Sequence, residues 1–132
     1  MNEKGGGKSY GKHVYVDYVN FFPETIDLSS DVLDILLDCV NKMEIKIVHS
    51  HSEVFDGIDS PPGFASIVLI DESHVTAHCY SEKGWLALDA FTCGNHDSNI
   101  LVDLINDKLL DMCENLVIMK RETVERFVHN KL

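Results

Sequence analysis

The chain has 132 residues, 45% of them hydrophobic, with 22 acidic side chains against 11 basic ones and a formal net charge of −11. That is enough for one domain with a real core, and too apolar for a disordered tail. The charge balance excludes a protein that grips a phosphate backbone, which needs clustered Lys and Arg, so nucleic acid is not an expected partner.

Residues 1–9 read as a flexible arm, followed by a single domain over 10–132. The arm's "GGGKS" fails as a phosphate loop, because the glycine required five places before Gly7 is Asn2 and no strand precedes it. The opening "MNEKGGGKSYGKH" lacks the apolar stretch of a signal peptide, and no later run reaches the length of a membrane span. No membrane partner is expected.

Lys12 to Val19 alternates and is rich in β-formers, which predicts a strand. "LSSDVLDILLDCVNKM" shifts to helical spacing, with Val32, Leu33, Leu36, Leu37 and Val40 on one side and Ser29 or Ser30 as N-cap. Ile45 to Ser52 is a second strand, and "DGIDSPPG" a loop. Three further strands follow at Phe64–Ile70, His74–Tyr80 and Trp85–Phe91, the last two joined by the hairpin "SEKG". A second helix is predicted from Asn99 to Cys113, capped by Asp97 or Ser98 and burying Ile100, Leu101, Leu104, Ile105, Leu109 and Met112. "NLVIMKRETVERFV" closes as a strand. The order gives an α+β fold: a two-layer sandwich, its sheet largely antiparallel, with both helices on one face.

The stretch "DESHVTAH", Asp71 to His78, is out of character with the apolar "FASIVLI" before it. A β-hydroxyl directly after a peptide bond, at a turn between buried strands, is an intramolecular nucleophile held against that bond. Backbone N–H groups of the turn can stabilise an oxyanion. His74, Thr76 and His78 share one strand face by alternation, and a neutral imidazole is a competent base near pH 7. Taken singly, Ser73 is an ordinary turn residue, His78 a hydrogen-bonded histidine and Cys93 a small buried hydrophobe. Together, at these intervals, they point to chemistry instead.

"PGFASIVLIDESHVTAHCYSEKGWLALDAFTCG", Pro62 to Gly94, resembles the prokaryotic-type S-adenosylmethionine decarboxylase proenzymes. The resemblance is carried by Glu72-Ser73-His74, His78, Glu82, Gly84, Asp89 and Phe91-Thr92-Cys93-Gly94, and "YGKH", Tyr10 to His13, is similar to the family's opening strand. It implies a self-processing enzyme of polyamine synthesis. The chain is cut between Glu72 and Ser73, giving fragments 1–72 and 73–132, and Ser73 becomes a pyruvoyl cofactor that takes substrate as a Schiff base. In that resemblance Ser73 supplies the nucleophile and the pyruvoyl, His78 is the processing base, and Cys93 returns a proton to the product. Glu82 and Phe55 are the substrate-binding candidates, for ribose and adenine. The family's sites lie between two protomers, which implies a homodimer.

The chain departs from the family at named positions. Ala65 stands where a serine assists processing, and Ser66 follows on the opposite strand face. Tyr80-Ser81-Glu82 replaces Trp-Pro-Glu, and the loop after Phe55 is longer. Three readings therefore stand beside S-adenosylmethionine as substrate: the same chemistry on arginine or ornithine, a non-processing regulatory homologue, and a metal-binding domain using His49, His51, His74 or His78. No metal is expected, because the histidines lack paired cysteine spacing. Cys39, Cys79, Cys93 and Cys113 form no Cys-x-x-Cys and suit reduced thiols in the cytoplasm.

Overall fold

The computed structural model describes residues 7–130. Its elements are β1 (Gly7–Lys8), β2 (Gly11–Val19), α1 (Leu28–Lys42), β3 (Ile47–Phe55), β4 (Gly63–Ile70), β5 (Ser73–Tyr80), β6 (Trp85–Cys93), α2 (Ser98–Met112), β7 (Val117–Arg126) and β8 (His129–Asn130). Six strands form one sheet in the order β3-β4-β5-β6-β2-β7, every neighbouring pair antiparallel. The expected arm falls outside the described residues for 1–6, whereas Gly7 and Lys8 pair with Asn130 and His129 in a separate two-stranded ribbon.

Alternation divides the sheet into two faces. Val14, Val16 and Tyr18 of β2, Val75, Ala77 and Cys79 of β5, and Leu86, Leu88 and Ala90 of β6 are buried on one side. There α1 packs over β3 and β4, α2 packs over β2 and β6, and the helices touch each other. The α+β two-layer sandwich expected from the element order is the fold observed. No helix among the described residues covers the other face, and none is long and apolar enough to cross a membrane.

Local chemistry moved some boundaries. Asp27, not Ser29 or Ser30, caps α1: its carboxylate accepts from the Ser30 N–H at 3.2 Å and from the Ser29 hydroxyl at 3.0 Å. A carboxylate complements the positive helix end better than a hydroxyl does. Asp97 caps α2, and Ser98 instead donates its hydroxyl to the Lys12 carbonyl at 2.9 Å, tying α2 to β2. Ile100 is not core; it is 52% exposed, because the face α2 turns inward runs through Leu101, Val102, Ile105 and Leu109.

The apolar run of β4 is not buried on both sides. Phe64, Val68 and Ile70 face the helices, while Ile67 and Leu69 lie on the uncovered face and are exposed. Leu36, at 0% exposure in the centre of α1, tests the core directly. Leu36→Ala is expected to cost about 2–5 kcal/mol in denaturant unfolding, and Ile100→Ala no more than about 0.5 kcal/mol.

Candidate active site

The turn between β4 and β5 is a two-residue connection: Ile70 pairs with Ser73, leaving Asp71 and Glu72 between them. Glu72 has φ of 72°, the left-handed region that Gly or Asn normally fills in tight turns. A glutamate held there sits in a sparsely populated conformation next to the serine of interest.

Ser73 is 6% exposed, and its hydroxyl donates to the Cys93 sulfur at 3.2 Å. The Cys93 thiol in turn points at the Glu72 carbonyl oxygen, 3.7 Å away. Cys93 ends β6 and Ser73 begins β5, so adjacent antiparallel strands bring residues twenty apart into contact. Gly11 of β2 makes room for that sulfur. A β-carbon there would lie 3.1 Å from Cys93 Sγ and 3.0 Å from both the Phe91 ring and the Thr92 carbonyl oxygen. The Tyr10 hydroxyl donates to the Glu72 carboxylate at 3.0 Å, and the Gly94 N–H donates to the Tyr10 carbonyl at 2.9 Å. Glu72, Ser73 and Cys93 thus form one cluster.

His78 is not in it. It follows Ser73 by five positions on the same strand, so it points to the opposite face and lies roughly 16 Å further along. It is exposed on the uncovered face, directly across from Ala65. Ser66 is on the helix side, buried and hydrogen-bonded to Ser52 at 2.7 Å, so it does not stand in for the missing hydroxyl. His78 instead borders a cleft of about 640 Å³ whose walls include Phe55, Tyr80, Trp85, Asp17 and Met119. Phe55 therefore shares a site with His78. Glu82 is exposed on the β5–β6 hairpin and is not among the cleft's lining residues.

Between the two clusters runs a polar stripe on the uncovered face. His13 bonds Asp89 at 2.8 Å, the Thr76 hydroxyl reaches the same carboxylate at 3.5 Å, and His74 stands edge-on to Phe91. Burial holds the His74 imidazole below the usual histidine range, with His13 and Arg126 adding repulsion that Asp89 partly offsets. His49 and His51 are exposed on β3, where His51 bonds Glu53 at 2.8 Å. No group of three or more His, Cys, Asp or Glu side chains converges among the described residues.

Sequence reasoning did not single out Gly11 or Asp17. Gly11 was legible only as part of "YGKH", and Asp17 becomes a cleft residue once β2 pairs with β6 and aligns it with Ala87. Tyr10 is visible in the sequence through that same motif alone, and its bond to Glu72, sixty-two residues away, has no sequence signal.

A serine in a strained hairpin, touching a thiol at the end of the next strand of an α+β sandwich, defines a class: small domains built around a serine-bearing turn. Residues 12–122 match the family model described as S-adenosylmethionine decarboxylase, and the chain belongs to that family. It is 34% identical over 128 residues to the S-adenosylmethionine decarboxylase proenzyme of Thermococcus onnurineus, covering 92% of this chain and 86% of that one. It is 42% identical over 60 residues to the proenzyme of Bacillus velezensis, covering 45% of this chain and 48% of the other. Among solved structures, the adenosylmethionine decarboxylase of Aquifex aeolicus superposes with a TM-score of 0.64 over 94% of this chain and 92% of its own, at 22% identity, a likeness of fold.

The depressed His74 imidazole has a consequence for stability. Its unfolded form takes a proton near pH ~6.5, before the folded form does, so its contribution is lost as pH falls below that value towards the folded pKa. Thermal melts between pH 7.5 and 5 are expected to show a shallower acid loss for His74→Gln than for the wild type.

Proposed function

We propose that the chain is a proenzyme that cleaves itself between Glu72 and Ser73 and then decarboxylates S-adenosylmethionine, its active sites completed by a second copy of itself. The observation that carries the reading is the contact chain from the Ser73 hydroxyl through Cys93 to the Glu72 carbonyl.

For cleavage, the Ser73 oxygen adds to the Glu72 carbonyl carbon, the C–N bond breaks, and the hydroxyl proton passes to the released nitrogen. The amide becomes an ester with no change in atoms. Contact removes the entropy of bringing nucleophile and bond together, and the left-handed φ at Glu72 raises the starting peptide toward the transition state. A base then takes the Ser73 α-proton and Glu72 leaves as a carboxylate; the dehydroalanine left at position 73 would tautomerise to an imine, which water hydrolyses to the pyruvoyl ketone with release of ammonia. Burial of Ser73 keeps bulk water from the ester.

Ser73 fits the precursor of a pyruvoyl group: buried, at a strand start, with a thiol in contact. That group would serve as the electron sink when CO₂ departs. The Cys93 thiol, in contact with Ser73, stands within reach of the carbon that must recover a proton and would deliver it.

The two clusters are at opposite ends of β5, so His78 cannot serve the Ser73 of its own protomer. A two-fold partner laid face to face on the uncovered sheet, its β5 reversed, would bring its His78 and aromatic cleft to the Ser73 end. The apolar residues Ile67 and Leu69, stranded on that face, suit burial against a second sheet. In the cleft, Phe55, Tyr80 and Trp85 offer π-faces for a heterocycle or a sulfonium cation, and Asp17 a carboxylate. This favours S-adenosylmethionine over arginine or ornithine, which have no ring to stack. Glu82, on the adjoining hairpin, is placed to reach a ribose at the cleft rim. The enzyme would work in the cytoplasm.

Mixing variants tests both parts. Ser73→Ala and His78→Ala homodimers should each remain a single uncleaved chain in denaturing mass spectrometry. Co-expressed, they should form heterodimers in which the His78→Ala chain is cut, because the Ser73→Ala partner supplies its histidine. Cutting in neither chain would sink the shared site. In cleaved enzyme, Cys93→Ser is expected to lower CO₂ release from S-adenosylmethionine by roughly 10²–10⁴-fold. Ala65→Ser, which sets a hydroxyl across from His78, is expected to speed self-cleavage.

A further inference from the structure

Tyr10 lies just before β2, half-exposed, and reaches across the sheet end to the turn. Its two hydrogen bonds close a circuit. Its hydroxyl holds the Glu72 carboxylate at 3.0 Å, and its carbonyl is held by the Gly94 N–H at 2.9 Å, next to Cys93. From Cys93 the circuit returns through the thiol to the Glu72 carbonyl and the Ser73 hydroxyl. Glu72 is therefore gripped at both ends, by side chain and by carbonyl, while its backbone stays in the left-handed region.

We propose that Tyr10 is a positioning residue for self-cleavage: it fixes the scissile peptide against Cys93 and Ser73 by anchoring the Glu72 side chain. This rests on the cleavage reading above. A non-glycine residue held at positive φ in a two-residue turn has a competing state in which its own backbone rotates back to negative φ. Such a rotation at Glu72 would carry its carbonyl away from the thiol. It would also drag the carboxylate from Tyr10, so the bond biases the turn toward the reactive arrangement. The hydrogen bond to Glu72 and the charge behind it push the Tyr10 hydroxyl's pKa up, which keeps it protonated and donating throughout the range where enzymes work. After cleavage the same bond would hold Glu72, now the end of the upstream fragment, beside the new terminus.

The step Tyr10 governs is the amide-to-ester shift. Hydroxylamine isolates it, because it attacks the ester carbonyl, forming a hydroxamate on Glu72 and freeing the Ser73 oxygen. His78→Ala homodimers, deprived of their base, should accumulate ester and be split by hydroxylamine. With Tyr10→Phe added, splitting should slow roughly three- to tenfold, the range for loss of one hydrogen bond. Without hydroxylamine and with His78 intact, Tyr10→Phe and Glu72→Ala should each slow self-cleavage by a similar factor. The double variant should be no slower than Glu72→Ala alone. Melting temperatures of the variants, measured alongside, separate this from loss of fold. Tyr10→Phe cutting as fast as wild type, or slowing that adds to Glu72→Ala, overturns the proposal and leaves the cleavage reading intact. A wild type that never cuts overturns both.

Discussion

The structure turns on the contact between two strand ends, the Ser73 hydroxyl on β5 against the Cys93 thiol on β6. A hydroxyl and a thiol buried together satisfy each other only if a further acceptor is at hand, and the Glu72 carbonyl is that acceptor. The same carbonyl is the electrophile in the proposed cleavage. One buried polar cluster therefore ties the ends of two strands together and holds the Ser73 hydroxyl beside the Glu72–Ser73 peptide bond. Gly11 and the left-handed Glu72 follow from it: the first gives the sulfur its space, and the second turns the chain tightly enough to present the carbonyl. Such clusters are costly when half-satisfied, so a change at any member should be felt by the others.

Strand parity explains the division of labour on β5. Odd positions from Ser73 run into the helix-side core with Val75, Ala77 and Cys79, and burial pushes the Cys79 thiol up to about 11. Even positions, His74, Thr76 and His78, line the open face. The strand thus carries the Ser73 hydroxyl at one end of the core side and its imidazoles on the other side. A single protomer cannot fold them together, because a strand cannot bend back within five residues. The uncovered face is also where His13, Asp89 and Tyr15 stand.

Much of this was legible in the sequence, for physical reasons. Period-two alternation marked β2 and β5, an apolar run marked β6, and 3.6-residue spacing marked both helices, because each element buries one face. Ser73 and Cys93 were legible as a pair through the family resemblance, and pairing of adjacent strands is what brings them into contact. The failures came where a competing local choice won. Asp27 displaced Ser29 as cap, Ile100 fell off the inward face of α2, and β4's continuous apolar run hid the fact that its outer half is uncovered. A run of apolar residues signals burial on both sides, but not what does the burying. Tyr10 was opaque for a different reason: a hydrogen bond spanning most of the upstream half depends on the assembled sheet, and no local pattern announces it.

Ala65, where the family pattern carries a serine, sits across from His78 on the open face. A serine there would give the imidazole a hydrogen-bonding neighbour and fix its tautomer. In the proposed scheme, His78 without that neighbour would be a weaker base, though still a base. The Ser73 cluster, at the other end of the strand, is untouched by the change: its hydroxyl, thiol and carbonyl keep their contacts. In the proposed scheme the loss would fall on proton removal after the ester forms, not on formation of the ester. A chain altered in this way would be expected to process slowly, with the ester as the species that waits.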